Sequence, residues 1–96
     1  MASSEHYFYV LLCADGSFYA GYTTDTLRRE REHNKGIGSK YTKARRPVRM
    51  IYNEVFGSRA EATKAEAAFK KLSRKQKENF LKGRAIGVCS SESNGV

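Results

Sequence analysis

Tyrosines, arginines, one histidine and a late carboxylate occur in this chain in an order that suits phosphodiester chemistry. Two tyrosine motifs come first, Tyr7-Phe8-Tyr9-Val10-Leu11 and Tyr19-Ala20-Gly21, with Tyr9 and Tyr19 ten residues apart. An arginine-rich segment follows, Leu27-Arg28-Arg29-Glu30-Arg31-Glu32-His33-Asn34, and Glu66 lies further on. An arginine aimed at a phosphate makes bidentate contacts and stabilises charge developing on phosphorus. At best one of Arg28, Arg29 and Arg31 has that role; the others are solvated. His33 falls four residues after Arg29, on the same helical face, where it either donates to a phosphate or leaving group or caps the helix.

A phenol with an ordinary pKa of about 10 becomes a base only with help from a nearby cation or metal-bound water. Strand tyrosines are more often packing residues than catalysts. Glu66 stands four positions after Ala62 and three before Phe69, on the buried margin of a helix. A carboxylate there must be paired, for which Lys70 one turn on is available, or must ligate a metal. Mg2+ is commonly held by one or two carboxylates with substrate oxygens and water. Spacing alone leaves both open.

The elements that would position these groups are legible. Tyr7–Cys13 and Phe18–Thr23 are rich in aromatic and branched residues, and Asp15-Gly16 between them signals a hairpin. A two-residue loop puts Tyr9 and Tyr19 on opposite faces; a three-residue loop, Ala14-Asp15-Gly16 with Gly16 left-handed, puts them on one face. The chemistry requires the second. Thr24 or Asp25 caps a helix running to Asn34, and Lys35–Pro47 reads as a basic, glycine-containing loop. Val48–Phe56 reads as a third strand. Ser58 with Glu61 and Ser73 with Gln76 open two further helices, the first with the stripe Ala62, Ala65, Phe69, Leu72. The expected fold is α+β: a three-stranded antiparallel sheet flanked by helices in the order ββαβαα. Residues 1–82 form one domain, and 83–96 are expected to be a flexible tail.

Ninety-six residues suffice for one core. No apolar run is long enough to span a bilayer, and Met1–His6 lacks a signal peptide's basic and apolar regions, so a soluble, cytoplasmic protein without membrane attachment is expected. Cys13 in an apolar strand and Cys89 in a polar tail suggest neither a disulfide nor a zinc site. The net charge is +8, and the first 27 residues hold no Lys or Arg. Nine cations fall in residues 28–49, among them Arg28, Arg29, Arg31, Lys40, Lys43, Arg45 and Arg46, against two acids, Glu30 and Glu32. Seven more fall in residues 70–84, including Lys70, Lys71 and Arg74, against Glu78. Such blocks fit a polyanion, most simply nucleic acid, and Tyr41 interleaved with the first supports that over a merely solvated face.

In this order the residues resemble a GIY-YIG nuclease domain, most closely its small stand-alone bacterial branch of the YazA/YhbQ type. The resemblance runs from about Tyr7 to Leu81. It rests on Tyr19–Asp25, Arg28-Arg29, Glu32-His33-Asn34, Gly36–Thr42, Arg46-Pro47-Val48, Glu61-Ala62, Glu66 and Lys70–Ser73. It implies a site built around one divalent metal, Mg2+ or Mn2+, held by Glu66. In that likeness Tyr9 is the general base or orients the attacking water, and Tyr19 shapes the site and contacts water or phosphate. Arg29 binds the phosphate and His33 fills a catalytic histidine or tyrosine position. A one-residue slip would give Arg28 the place of Arg29. Arg28, Arg31, Lys40, Tyr41, Lys43, Arg45, Arg46, Lys70, Lys71 and Arg74 are then the candidate nucleic-acid contacts. The first motif departs from the family, with Tyr7 and Phe8 in place of Gly and Ile.

The resulting expectation is a metal-dependent endonuclease or nickase acting on DNA, on branched or damaged structures in a repair or recombination setting. No separate DNA-binding domain is visible, so specificity is low or comes from a protein partner. Two other classes compete: a non-catalytic nucleic-acid-binding module, and a small subunit whose basic face meets an acidic protein.

Overall fold

Phe8, Tyr9, Val10 and Leu11 are four successive buried residues, so the strand that carries them has no polar face. A strand of this kind must be covered on both sides, and the computed structural model, which describes residues 5–83, places it at the centre of the sheet. This strand, β1 (His6–Leu12), is flanked by β2 (Phe18–Thr23) and β3 (Arg49–Phe56), both antiparallel to it, in the order β2-β1-β3. The helices are α1 (Thr26–Asn34), α2 (Lys40–Lys43), α3 (Arg59–Lys70) and α4 (Arg74–Lys82). Apart from the single turn α2, which lies inside the segment expected to be a loop, the chain follows ββαβαα and is an α+β fold. Among the described residues no helix is long and apolar enough to cross a membrane. The expected tail and Cys89 lie outside the described residues; Cys13 is buried just beyond β1.

The hairpin closes through a three-residue loop. The Cys13 N–H donates to the Ser17 carbonyl at 2.9 Å around Ala14-Asp15-Gly16, and Gly16 has φ +87°, a conformation that favours glycine. Tyr9 therefore pairs with Gly21 and Leu11 with Tyr19, and both tyrosines project from the same face.

Two cores result. Phe8, Val10, Ala20 and Tyr52 pack with Phe69 of α3 and Leu81 of α4, joined by Phe80. Rings of Phe8, Tyr52, Phe69 and Phe80 meet mostly edge-on at centroid separations of 5.4–6.4 Å. On the other face Tyr9, Leu11, Cys13 and Val48 form a smaller cluster with Tyr19 and Met50, beneath α1 and α2. Three caps start the long helices where the sequence places them. Asp25 accepts from the Arg28 N–H, Ser58 from the Glu61 N–H, and Ser73 forms a reciprocal capping box with Gln76.

Two side chains of α1 fix it to β3 and to Val48 just before that strand. Glu30 Oε2 accepts from the Met50 N–H at 2.8 Å, next to a register shift opposite Val10/Leu11. The Asn34 side chain accepts from the Val48 N–H at 2.7 Å and donates to the Val48 carbonyl at 2.9 Å. The helix carrying Arg29 and His33 is thereby held over the tyrosine face.

Candidate active site

Tyr9 leaves the middle of β1 and runs across the backbone of Gly21. A Cβ at Gly21 would collide with the Tyr9 phenol, so this glycine is needed for a close approach rather than for a turn. The phenol ends against α1, where Tyr9 Oη lies 2.8 Å from His33 Nε2 and accepts from Arg29 Nε at 3.3 Å. Three residues from two separate elements thus converge on one oxygen. Tyr19 joins from β2: its ring meets His33 edge-on at 5.2 Å and stacks on Tyr41 at 5.7 Å. The Arg45 guanidinium lies over Tyr41, 3.8 Å from the ring centroid.

Arg29 is the arginine that faces this cluster. Besides Tyr9 it donates to Glu32 Oε1 at 2.9 Å and to the Gly38 carbonyl at 3.2 Å. These contacts use three of the five N–H donors a guanidinium carries. Arg28 instead makes a half-exposed pair with Glu32 at 3.5 Å and does not reach Tyr9, so helix geometry separates two arginines that spacing left interchangeable.

Burial dominates the electrostatics. It pushes the Tyr9 phenol up to about 12; Arg29 pulls it down, while Tyr19 and Glu66 push it up. The sequence suggests a phenol helped toward ionisation by a cation. The cation is present, but desolvation outweighs it, and Tyr9 is a protonated phenol at neutral pH. His33, fully buried, is moved to about 4, first by burial and then by the positive charge of Arg29, against a smaller opposing effect of Glu32. It is a neutral imidazole throughout the physiological range.

Neutrality of His33 has a consequence for stability. As pH falls below 6.5, a histidine in the unfolded chain takes up a proton while the folded imidazole does not until about 4. The unfolded state then binds more protons, and stability falls. We expect His33 to cost about 1 kcal/mol by pH 5.5 and roughly 3 kcal/mol at the acid limit. Urea midpoints at the two pH values measure the loss. An NMR titration placing the His33 ring near 6.5 would contradict it.

Glu66 sits apart. It is on α3, whose Ala65 and Phe69 pack on the opposite face of the sheet, and among the described residues its ion pair is with Lys70 rather than with the cluster, although its charge is felt by Tyr9. Its Oε2 pairs with Lys70 Nζ at 2.7 Å, so the ordinary ion pair foreseen as an alternative does form. Among the described residues no three His, Cys, Asp or Glu side chains gather as a metal cluster. A single carboxylate, partly exposed and already drawing a cation, fits the mode in which a hard divalent ion takes its remaining ligands from substrate and water.

Several candidate nucleic-acid contacts have structural partners. Arg45 donates to Asp15 at 3.1 Å and to the Tyr41 carbonyl at 2.9 Å. Arg46 donates to the Lys43 carbonyl at 2.9 Å. Arg74 bonds Glu78 and the Gly16 carbonyl and covers Phe18, fixing α4 to the hairpin. Arg31, Lys40, Lys43 and Lys71 are exposed, and so is Lys70 beside Glu66. The sequence gives no site role to Gly38 and Thr42, which hold His33, or to Glu30, Asn34 and Glu32, which hold α1 and Arg29, although all but Glu30 lie in the motifs that carry the resemblance. The signal available was position: Gly38 and Thr42 follow His33 within one loop.

A small α+β domain that gathers two tyrosines, an arginine and a histidine on one sheet face, with a glutamate on the following helix, has a counterpart among known proteins. The GIY-YIG catalytic domain matches residues 5–79, and the chain belongs to the GIY-YIG family. That family is a nuclease superfamily whose substrate is nucleic acid and whose members generally use a divalent metal. The chain is similar to the UPF0213 protein lmo0166 of Listeria monocytogenes, 68% identical over 79 residues, covering 82% of this chain and 88% of that one. It is likewise similar to the UPF0213 protein YazA of Bacillus subtilis, 52% identical over 81 residues, with 84% and 82% covered. The solution NMR structure of EF2693 from Enterococcus faecalis aligns with a TM-score of 0.57 at 64% identity, covering 82% of this chain and 84% of that one.

Proposed function

We infer that the chain is a divalent-metal-dependent endonuclease or nickase that hydrolyses phosphodiester bonds in DNA. The observation that carries this reading is the convergence of Arg29, Tyr9 and His33, with hydrogen bonds of 3.3 and 2.8 Å meeting at one phenolic oxygen. Packing alone does not call for an arginine, a phenol and a neutral imidazole joined in series.

Arg29 binds the scissile phosphate with its further N–H donors and balances charge developing on phosphorus. Tyr9 orients the attacking water. Because the phenol is protonated, it takes a proton from water only as it gives its own to His33 Nε2: the water O–H bond breaks, a new O–H forms on Tyr9, and the original phenolic proton moves to the imidazole. Tyr19 and Tyr41 form the aromatic wall beside this point. Glu66 would hold the metal, Mg2+ or Mn2+, which when bound would supply Lewis-acid polarisation of the phosphate and stabilisation of the leaving oxygen. The exposed cations of the two basic blocks track the nucleic-acid backbone, and branched or damaged DNA in repair or recombination is the proposed substrate. Specificity comes from DNA structure or from a protein partner, and the proposed setting is the cytoplasm.

A second reading draws on the burial of Tyr9 and the internal bonds of Arg29: a binding module in which the cluster is structural. Nicking of supercoiled plasmid with Mg2+ or Mn2+ and with chelator decides between the two. We expect nicks only with metal, and affinity that falls steeply with salt, about one logarithmic unit per logarithmic unit of salt for each phosphate neutralised. Binding without nicking selects the module. An affinity indifferent to salt removes nucleic acid from both readings.

A further inference from the structure

The polar chain under Tyr9 continues beyond His33. His33 Nδ1 lies 2.7 Å from Thr42 Oγ1, and both residues are fully buried. Thr42 Oγ1 is in turn 2.9 Å from Ser39 Oγ and 3.4 Å from the Ser39 carbonyl. Ser39 caps α2, accepting from the Thr42 N–H at 3.1 Å, so one helical turn holds both hydroxyls in place. A Cβ at Gly38 would collide with the His33 ring, which brings this segment directly against the imidazole.

A neutral imidazole has one N–H and one lone pair, so Tyr9 and Thr42 must play opposite roles toward it. The donor count among the protein's own groups points to one assignment. Tyr9 Oη already accepts from Arg29 Nε–H. If His33 Nε2–H donated to it as well, the phenolic proton would be buried without an acceptor among the described residues. With the imidazole proton on Nδ1, each donor finds an acceptor in turn: Arg29 Nε–H to Tyr9 Oη, Tyr9 O–H to His33 Nε2, His33 Nδ1–H to Thr42 Oγ1, and Thr42 O–H to Ser39.

We propose that Thr42, seated by Ser39 in the α2 turn, is a positioning residue that fixes His33 as its Nδ1–H tautomer and keeps the Nε2 lone pair aimed at Tyr9. Thr42 touches neither substrate nor metal. Its effect is to choose which imidazole nitrogen receives the Tyr9 proton, so its catalytic consequence rests on the nuclease reading above, while its effect on the tautomer does not. Holding an imidazole in one tautomer through a hydrogen bond to its other nitrogen is an established way to orient a proton acceptor.

The test is a long-range 15N–1H NMR spectrum of the full chain, with no DNA present, for the native sequence, Thr42→Val and Thr42→Ser. The chain has two histidines, so a His6→Gln variant assigns the His33 ring by difference. We expect a protonated Nδ1 and a bare Nε2 in the native chain and in Thr42→Ser, which keeps the hydroxyl. Thr42→Val, which keeps the shape, should shift the proton to Nε2 or leave the two forms exchanging. An Nε2–H tautomer in the native chain overturns the proposal, and so does an unchanged Nδ1–H tautomer in Thr42→Val. Should Thr42→Val not fold, the native spectrum and Thr42→Ala, which also removes the hydroxyl facing Nδ1, carry the same two outcomes. Nicking measured in parallel should show kcat lowered on the order of 10–100-fold in Thr42→Val with KM unchanged, and rescue in Thr42→Ser. The expected tautomers in a chain that cuts no DNA would support the positioning role and overturn the nuclease reading alone.

Discussion

Tyr9→Phe is expected to lower single-turnover cleavage by about 10²–10⁴-fold while leaving DNA affinity within a few-fold of the native chain. The ring keeps its place over Gly21 and against Leu11, so the aromatic packing survives. What disappears is the oxygen that joins Arg29 to His33. The substitution also leaves His33 Nε2 buried without its partner, which costs about 1–3 kcal/mol of stability. A urea titration separates the two effects, since cleavage is compared only under conditions where both chains are folded. The distinction is informative because the two readings of the cluster diverge here. If Tyr9 is only core, the variant loses stability and cuts at the native rate.

Glu66→Gln is expected to remove cleavage by on the order of 10²-fold or more, with little change in stability. The reasoning rests on what the carboxylate does in the resting structure. Among the described residues it is paired with Lys70, whose side chain is 53% exposed. An i,i+4 pair of that exposure contributes about 0–1 kcal/mol. A purely structural Glu66 would therefore be nearly dispensable, and its amide variant would be indistinguishable from the native chain in every assay. Loss of activity without loss of stability assigns the residue to the reaction. Calorimetric titration with Mn2+ gives a second readout: the amide variant should bind the ion more weakly, in the presence of a non-cleavable DNA that supplies the phosphate ligands.

Much of this arrangement was legible from residue types. The loop Ala14-Asp15-Gly16 decides whether Tyr9 and Tyr19 share a face, and a chemical requirement was needed to choose its length; the left-handed Gly16 and the Tyr9–Gly21 pairing show the same arrangement. The three helix starts follow from Thr24 or Asp25, of which Asp25 is the cap, and from Ser58 and Ser73, because capping is a local interaction written in adjacent residues. Arg28 and Arg29 were not separable by spacing, since one residue turns a helix by roughly 100° only relative to a partner whose position is unknown. The partner, Tyr9, is twenty residues away in sequence. The ionisation of Tyr9 is hidden from sequence for a related reason: a cation nearby can be guessed, but the burial that outweighs it depends on α1 covering the strand. The turn α2 and the Ser39–Thr42–His33 chain were invisible in a segment that reads as a basic loop, because their value comes from a buried imidazole contributed by another element.

The most direct measurement is single-turnover nicking of branched DNA with Mn2+ by the intact chain, Arg29→Ala and Glu66→Ala, each at DNA occupancy matched by prior binding titration. We expect the intact chain to cut, and both variants to bind the same DNA and leave it whole. A folded intact chain that binds DNA and leaves it uncut, or variants that cut as fast as the native protein, would contradict the assignment of this cluster as a nuclease active site.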